Sequence, residues 1–162
     1  MDKPTVYVET TVLSYLTGRP SRDLLIAGRQ SATRLWWSWC RRDFDLVTSR
    51  LTIEEAAVGD VRRARRRVTL ASSLRQLHVT PEADRLAAFL TTHGPLPPKA
   101  AADALHYAVA VVHRVDFLAS WNLRHLANPV LQDRLEKACL TAGHDPVRIC
   151  TPDQFSRSED DE

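Results

Sequence analysis

The chain contains 162 residues, and its composition, 44% hydrophobic and 26% charged, is typical of a soluble globular protein with one domain. No apolar run is long enough to span a membrane, and the first residues lack the apolar segment of a secretory signal. The three cysteines are widely spaced and form no CxxC motif, so we expect a reduced cytoplasmic protein without a disulfide or a zinc site.

Short apolar runs alternate with helical patterns along the chain, which predicts an α/β fold with a mainly parallel sheet. Strands are expected at Thr5–Val8, 44–49, 77–80, 115–120 and 147–151. Helices are expected at 21–42, from Leu51 onward, around 61–68, and at 81–92, 99–113, 122–126 and 131–143.

The helix at 21–42 is expected to begin at Ser21, whose hydroxyl is a good N-cap. Small and apolar residues recur along it at helical spacing: Leu24, Gly28, Ala32, Leu35 and Trp39. This face predicts either core packing or contact with a second copy, and we therefore expect a homodimer.

Acidic or amide side chains follow three of the predicted strands. Glu9 comes directly after the first strand, Glu55 lies in the helix after the second, and Asn122 follows the strand at 115–120. Asp103 lies in the first turns of the helix that begins near Lys99. Ligands of open parallel sheets bind at the carboxyl ends of the strands, so these side chains mark a candidate site.

Three carboxylates brought together at this edge would repel one another by roughly 1–4 kcal/mol per pair at a surface-like dielectric. A divalent cation removes that repulsion, and carboxylate oxygens with an amide nearby suit Mg²⁺ or Mn²⁺ better than zinc. Such an ion takes its remaining ligands from water and phosphate. Glu9, Glu55 and Asp103 therefore predict a metal site for phosphodiester chemistry.

Simpler interpretations of the same residues stay open. Glu9 is also suited to accept hydrogen bonds from backbone amides at a strand end, and Asp103 to favour the positive end of a helix dipole. Glu54 is expected to be the solvated neighbour of Glu55. We expect His106, on a helix, to be structural, whereas His125 is the better candidate for a phosphate contact.

Four motifs in this order resemble the PIN domain, most closely the small bacterial toxins of the VapC kind: VYVETTVLSYL, LVTSRLTIEEAAVGD, DALHYAVA and DFLASWNLRHLAN. The resemblance runs from about Val6 to Phe155. It implies a three-layer sandwich, with helices flanking a central sheet of four to five mainly parallel strands. Residues 1–155 would form the single domain, and 156–162 an acidic, disordered tail.

The resemblance also implies a function: an endoribonuclease that uses Mg²⁺ or Mn²⁺ to cut single-stranded RNA, as the toxin of a toxin–antitoxin pair. By motif position, the catalytic residues would be Glu9, Glu55, Asp103 and Asn122, the first three holding the metal. Thr10 or Thr11 would supply the hydroxyl after the first acid, and Ser120 the hydroxyl before Asn122.

Two departures from the family pattern leave alternatives open. Most members have Asp where this chain has Glu9, and often Asp where it has Asn122. These changes allow a PIN-like protein that binds RNA or a protein partner without cutting it. A haloacid-dehalogenase-like phosphatase is disfavoured, because its nucleophilic Asp and second Asp are replaced by Glu9 and Thr11. A pure interaction module has only the tryptophan-rich helix in its favour.

Arginine supplies 19 of the 22 basic residues, and five arginines fall within residues 61–68, although the net charge is only +2. This segment predicts either a solvated helix face or a stripe that contacts phosphates, since guanidinium groups match phosphate oxygens. Arg62, Arg63 and Arg66 are therefore candidate RNA contacts, and a binding site for a protein partner is the alternative.

Overall fold

A computed structural model describes residues 2–156. Over this range the chain forms one sheet of five parallel strands in the order β3-β2-β1-β4-β5. The strands are β1 (Thr5–Val8), β2 (Asp45–Ser49), β3 (Arg75–Leu77), β4 (Phe117–Ala119) and β5 (Arg148–Cys150). The predicted α/β fold with a parallel sheet is confirmed.

Helices cover both faces of the sheet. They are α1 (Thr10–Thr17), α2 (Leu24–Asp43), α3 (Arg50–Ala56), α4 (Val61–Ser72), α5 (Pro81–Thr92), α6 (Ala101–Val112) and α7 (Pro129–Thr141). Short 3₁₀ turns at Pro98–Ala100 and Pro152–Gln154 precede α6 and follow β5.

The alternation of side chains along β1 divides the core into two layers. Tyr7 points into the layer formed with α5, α6 and α7, whereas Val6 and Val8 point into the layer formed with α1, α2 and α4. All three side chains are fully buried. The chain is therefore a three-layer sandwich with β1 at its centre.

Three local predictions are wrong. β3 lies at Arg75–Leu77 and not at 77–80. The N-cap of α2 is Asp23, which accepts a hydrogen bond from the backbone amide of Ile26, while Ser21 accepts one from the amide of Asp23. Residues 123–126 form a turn and not a helix: the amide of Leu126 makes one helical bond to the Asn122 carbonyl, but the amide of Ala127 binds the same carbonyl and does not continue the ladder.

The buried face of α2 also differs from the predicted one. Leu24 and Leu35 are 90% and 68% exposed, and the buried residues are Gln30, Thr33, Trp36 and Cys40. The polar members are bonded: Gln30 binds backbone groups of the preceding loop, and the Thr33 hydroxyl accepts from the Trp121 indole. Hydrogen bonding therefore allows a partly polar stripe to face the core.

Among residues 2–156, no helix combines the length and the apolar character needed to cross a membrane. The tail predicted at 156–162 lies, except for Ser156, outside the described residues.

A candidate metal site at the carboxyl edge of the sheet

Side chains from three separate elements meet where β1 ends. Glu9 immediately follows β1, Glu55 comes from α3 and His106 from α6, and each offers a ligand atom within 4.8 Å of the other two. α3 begins directly after β2, and β2 lies beside β1 in the sheet. The parallel register therefore delivers Glu9 and Glu55 to the same edge, as the sequence predicts.

Glu9 is almost completely buried, with 3% of its surface exposed. Its Oε2 accepts three hydrogen bonds: from the backbone amide of Thr11 (3.1 Å), the Thr11 hydroxyl and the Ser120 hydroxyl (2.8 Å). Burial raises the pKa of Glu9, and the charge of His106 and these hydrogen bonds offset only part of that effect.

The two hydroxyl groups that bind Glu9 are oriented by the chain itself. The Thr11 oxygen accepts from the amide of Trp121 (2.8 Å), and the Ser120 oxygen accepts from the amide of Asn122 (3.0 Å). Because each oxygen receives an N–H, its own proton is left to donate to Glu9. The segment after β4 therefore fixes the position of the acid at the end of β1.

Glu55 lies at the surface of the site, with 40% of its side chain exposed. Its Oε1 accepts from the Thr10 hydroxyl (2.8 Å) and pairs with Nε2 of His106. Burial raises the pKa of Glu55, but the hydrogen bond and charge of His106 outweigh burial and hold the pKa below its usual value. Glu55 is thus an ionised carboxylate at the mouth of the site.

His106 is fully buried and uses both ring nitrogens. Nδ1 lies 2.7 Å from the Tyr7 hydroxyl, which lies 2.7 Å from the Ser49 hydroxyl, while Nε2 contacts Glu55. Burial lowers the pKa of His106, but Tyr7 and the two glutamates outweigh burial and raise the pKa to about 10. In the absence of a metal, the imidazolium is thus the cation that faces the two acids.

Asp103 lies one turn before His106 on α6, but it has a different partner. Its Oδ2 lies 3.0 Å from Nδ1 of His125, and both side chains are mostly buried. Asn122 orients His125 by accepting its backbone amide through Oδ1 (3.0 Å). Asp103, Asn122 and His125 therefore form a connected set, and the predicted metal role of Asp103 stays a prediction.

Both alternatives for the hydroxyl after the first acid are realised, since Thr11 binds Glu9 and Thr10 binds Glu55. Sequence reasoning missed Tyr7, and it treated His106 as structural. The sequence did contain a signal for each residue. Tyr7 is a polar ring inside an apolar strand, and His106 lies one turn after Asp103 on a helix that is otherwise apolar.

Arg62, Arg63 and Arg66 lie on α4 and line a separate cavity with Thr17 and Gly18 at the end of α1. None of the three arginines contacts Glu9 or Glu55 through a hydrogen bond or an ion pair within residues 2–156. Their contact with RNA therefore stays a prediction about a cavity that is lined by neither Glu9 nor Glu55.

The donor set fits a hard divalent cation. Within the described residues, Oε1 of Glu9 and Oε2 of Glu55 accept no hydrogen bond and are free to coordinate. Carboxylate oxygens are the preferred ligands of Mg²⁺ and Mn²⁺. His106 would have to give up Glu55 to become a ligand, so the carboxylates are the residues that would hold the ion.

The fold and the site together define an α/β protein with an acidic, candidate metal-binding edge on a parallel sheet. No protein-family model and no curated protein matches the sequence. Solved structures do match. VapBC2 from Rickettsia felis, bound to a DNA fragment from their promoter, gives a TM-score of 0.58 at 9% identity, over 91% of this chain and 98% of that chain.

VapC20 of Mycobacterium tuberculosis, described as a toxin that cleaves the sarcin–ricin loop, gives a TM-score of 0.55 at 18% identity. That match covers 70% of this chain and 86% of VapC20. At these identities the similarity establishes the fold. This chain has the fold of the VapC-like PIN domain.

Proposed function

We propose that this chain is a metal-dependent endoribonuclease that hydrolyses phosphodiester bonds in single-stranded RNA, as the toxin of a toxin–antitoxin pair in the cytoplasm. The observation that carries the proposal is the meeting of Glu9 and Glu55 at one edge of a VapC-like sheet, each with a free carboxylate oxygen. The description of VapC20 as an RNA-cleaving toxin supports the choice of RNA.

Glu9 and Glu55 are the residues that would hold Mg²⁺ or Mn²⁺, and we assign Asp103, from its place in the DALHYAVA motif, as a third ligand. A bound ion of this kind polarises a scissile phosphate and lowers the pKa of a water molecule. The chain itself positions the acids: Thr11 and Ser120 fix Glu9, while Thr10 and His106 fix Glu55.

His125 is the residue that we assign to a phosphate contact. Asp103 fixes its ring through Nδ1, and Asn122 fixes its backbone amide, so the residue has a defined orientation. Asn122 thereby acts as a positioning residue through its amide oxygen, a role in which Asn and Asp are equivalent acceptors.

A second candidate function is a catalytically silent RNA- or protein-binding module. The observation in its favour is His106, whose imidazolium already faces both carboxylates and reduces the need for a metal ion. An antitoxin partner, which the VapBC2 assembly suggests by analogy, fits either function, as does a homodimer.

The test compares two neighbouring glutamates on α3. Glu55→Gln removes a predicted metal ligand, whereas Glu54→Gln makes the same change at an exposed residue outside the acidic group. Purified proteins are incubated with labelled single-stranded RNA in Mg²⁺ or Mn²⁺, and then in EDTA. We expect wild type and Glu54→Gln to cleave, and Glu55→Gln and Asp103→Asn to lose at least about 100-fold in rate.

The outcomes separate the candidate functions. Cleavage that survives EDTA, or that is equal in Glu55→Gln and Glu54→Gln, contradicts the metal-dependent nuclease. Binding of RNA by wild type without cleavage in either metal supports the silent module. Release of phosphate from small phosphoesters, with RNA intact, indicates a phosphatase.

A further inference from the structure

A cavity of about 460 Å³ lies between the C-terminal end of α1 and the N-terminal half of α4. Its walls carry five guanidinium groups and one carboxylate: Arg19, Arg34, Arg62, Arg63, Arg66 and Asp60. Two of the arginines, Arg19 and Arg34, belong to other segments than the arginine-rich helix. The fold therefore brings together positive charges from three separate segments of the chain, and the arginine-rich helix is only one of them.

Three of the guanidinium groups are free to bind a ligand. Within residues 2–156, the side chains of Arg19, Arg62 and Arg63 make no hydrogen bond and no ion pair. Arg34 and Arg66 instead donate to the carbonyl oxygens of Gly18 (3.3 Å) and Thr17 (3.5 Å). These carbonyls end α1, where a cation is favoured by the helix dipole.

The cavity carries a formal charge of +4, the five guanidinium groups less the one carboxylate of Asp60. That carboxylate is already engaged, because it caps α4 by accepting the backbone amide of Arg63 (3.1 Å). The remaining cations repel one another, and an anion removes the repulsion. Planar guanidinium forks match the oxygens of a phosphate group especially well.

One wall of the cavity is rigid. The loop that carries Arg19 is held by Gln30, a buried residue of α2 whose Nε2 donates to the carbonyl of Arg19 (2.7 Å). The Oε1 of the same side chain accepts from the amide of Ser21 (2.9 Å). Because the backbone of this loop is fixed before binding, less conformational entropy is lost when a ligand is held.

The cavity is one helix away from the acidic site. α1 starts directly after Glu9 and has eight residues, so its far end lies roughly 12 Å along the helix axis. A few nucleotides of an extended single strand span this distance. A strand whose scissile phosphate lies at Glu9 can therefore place a neighbouring phosphate at the arginines.

We infer that this cavity binds a backbone phosphate of single-stranded RNA a few nucleotides from the bond that is cut. The inference rests on the proposed function for the position of that bond. RNA is favoured over an acidic peptide, because a helix joins the cavity directly to the site that would hold the scissile phosphate.

The experiment measures binding of the full-length protein to a short fluorescein-labelled oligouridine by anisotropy, in EDTA so that no metal-dependent cleavage occurs. The salt concentration is varied from about 50 to about 200 mM, since the salt dependence of the affinity counts phosphate contacts. Arg62→Gln/Arg63→Gln removes two free guanidinium groups from the cavity. Neither side chain has a partner within the described residues, so we expect the fold to be unaffected.

The matched control is Arg85→Gln/Arg134→Gln, which removes two exposed arginines from α5 and α7 on the opposite face of the sheet. We expect the cavity variant to lower the slope of log K against log salt by ~0.7, the value for the loss of one phosphate contact with a single strand. The control is expected to keep the wild-type slope. A merely structural role of Arg62 or Arg63 does not change this slope.

Equal slopes in the cavity variant and the control overturn the inference. Binding of a labelled oligoglutamate that is lost only in the cavity variant, with the RNA slope unchanged, assigns the cavity to an acidic protein partner and also overturns it. Wild type that shows the cavity-dependent slope but never cleaves RNA keeps the phosphate site and overturns the nuclease. RNA cleavage by wild type, together with equal slopes in the cavity variant and the control, keeps the nuclease and overturns the phosphate site.

Discussion

Within the described residues, all the hydrogen bonds that Glu9 accepts with its side chain go to one of its two carboxylate oxygens, Oε2. The hydroxyl groups of Thr11 and Ser120 both receive backbone amides from the segment after β4, and both therefore point their protons at Oε2 of Glu9. The other oxygen of Glu9 has no partner within residues 2–156. Burial of a carboxylate with one oxygen that accepts no hydrogen bond costs free energy. This arrangement is more typical of a metal ligand than of an acid that only stabilises the fold.

This asymmetry predicts the behaviour of Glu9→Gln. The glutamine oxygen can take the place of Oε2 and keep its hydrogen bonds, while the buried charge is lost. We expect the variant in EDTA at about pH 8 to be more stable than wild type by about 1 kcal/mol, or ~2–4 °C in Tm. Thermal unfolding with and without Mg²⁺ measures this, and the increase of Tm with Mg²⁺ should disappear in the variant.

Glu54→Gln is the control for that measurement, because it removes an exposed acid outside the acidic group. It should leave both the Tm in EDTA and the response to Mg²⁺ unchanged. Lower stability of Glu9→Gln in EDTA would mean that the carboxylate is required for the fold, and would contradict its assignment as a ligand.

His106 predicts a pH dependence of stability. Its pKa rises from a usual value of 6.5 to about 10 in the folded protein. A raised pKa adds stability that is complete below the unfolded pKa and is lost as the pH rises towards the folded one. In EDTA, wild type should therefore lose stability between about pH 6.5 and about pH 10, relative to His106→Gln.

Urea unfolding at a series of pH values measures this difference. His125→Gln serves as the control, because it replaces the other histidine that pairs with a carboxylate of the site. A difference between wild type and His106→Gln that does not vary over this pH range would show that the imidazole is neutral in the folded protein.

The residues of the site that the sequence predicts follow from local patterns, whereas those that it does not predict depend on contacts between distant parts of the chain. The sequence predicts Glu9 and Glu55 because strand ends of a parallel sheet share an edge, which follows from local patterns alone. The role of His106 depends on partners 99 and 51 residues away, Tyr7 and Glu55. No local pattern shows that a helix histidine meets a strand tyrosine, so sequence reasoning gave His106 a structural role.

At the scale of elements, α2 shows why an apolar stripe predicts burial only in part. Two of its four buried residues, Gln30 and Thr33, are polar, and both have hydrogen-bond partners in the interior. Leu24 and Leu25 are left 90% and 64% exposed at the start of the helix. Adjacent exposed leucines of this kind are frequent at contacts between proteins.

The homodimer stays a prediction, and the exposed start of α2 is the surface at which we expect it. We expect Leu24→Asp to convert a dimer into a monomer at micromolar concentration, because a carboxylate cannot be buried there without a partner. Light scattering coupled to size-exclusion chromatography measures the mass. Leu140→Asp is the control, since Leu140 is a similarly exposed leucine (57%) on α7. A dimer that survives Leu24→Asp but not Leu140→Asp places the interface on α7.

At the scale of the whole molecule, the C-terminal segment joins elements that are distant in the sequence. Phe155 stacks on Trp36 of α2 with ring centroids 5.2 Å apart, and it contacts Phe44 and Phe117 at 5.4 and 5.6 Å. The four rings connect α2, the start of β2 and β4. The last described turn therefore closes the layer of the core that lies on the α1 side of the sheet.

This cluster predicts a large effect for Phe155→Ala. Removal of the ring leaves a cavity between three aromatic neighbours, and we expect a loss of about 3 kcal/mol in the free energy of unfolding. Phe89→Ala on α5 is the control, because Phe89 is also partly buried but, within residues 2–156, has only His93 as a ring neighbour. Urea denaturation measures both, and equal losses would contradict the special role of the cluster.

Because β1 lies between β2 and β4, the sheet has a gap beside β1 until residues near Phe117 have been translated. Thr11, which binds Glu9, is its near neighbour in the chain, but Ser120, which also binds Glu9, is synthesised 111 residues after it. A nascent polypeptide therefore cannot assemble the finished pocket before Ser120 has been added to it.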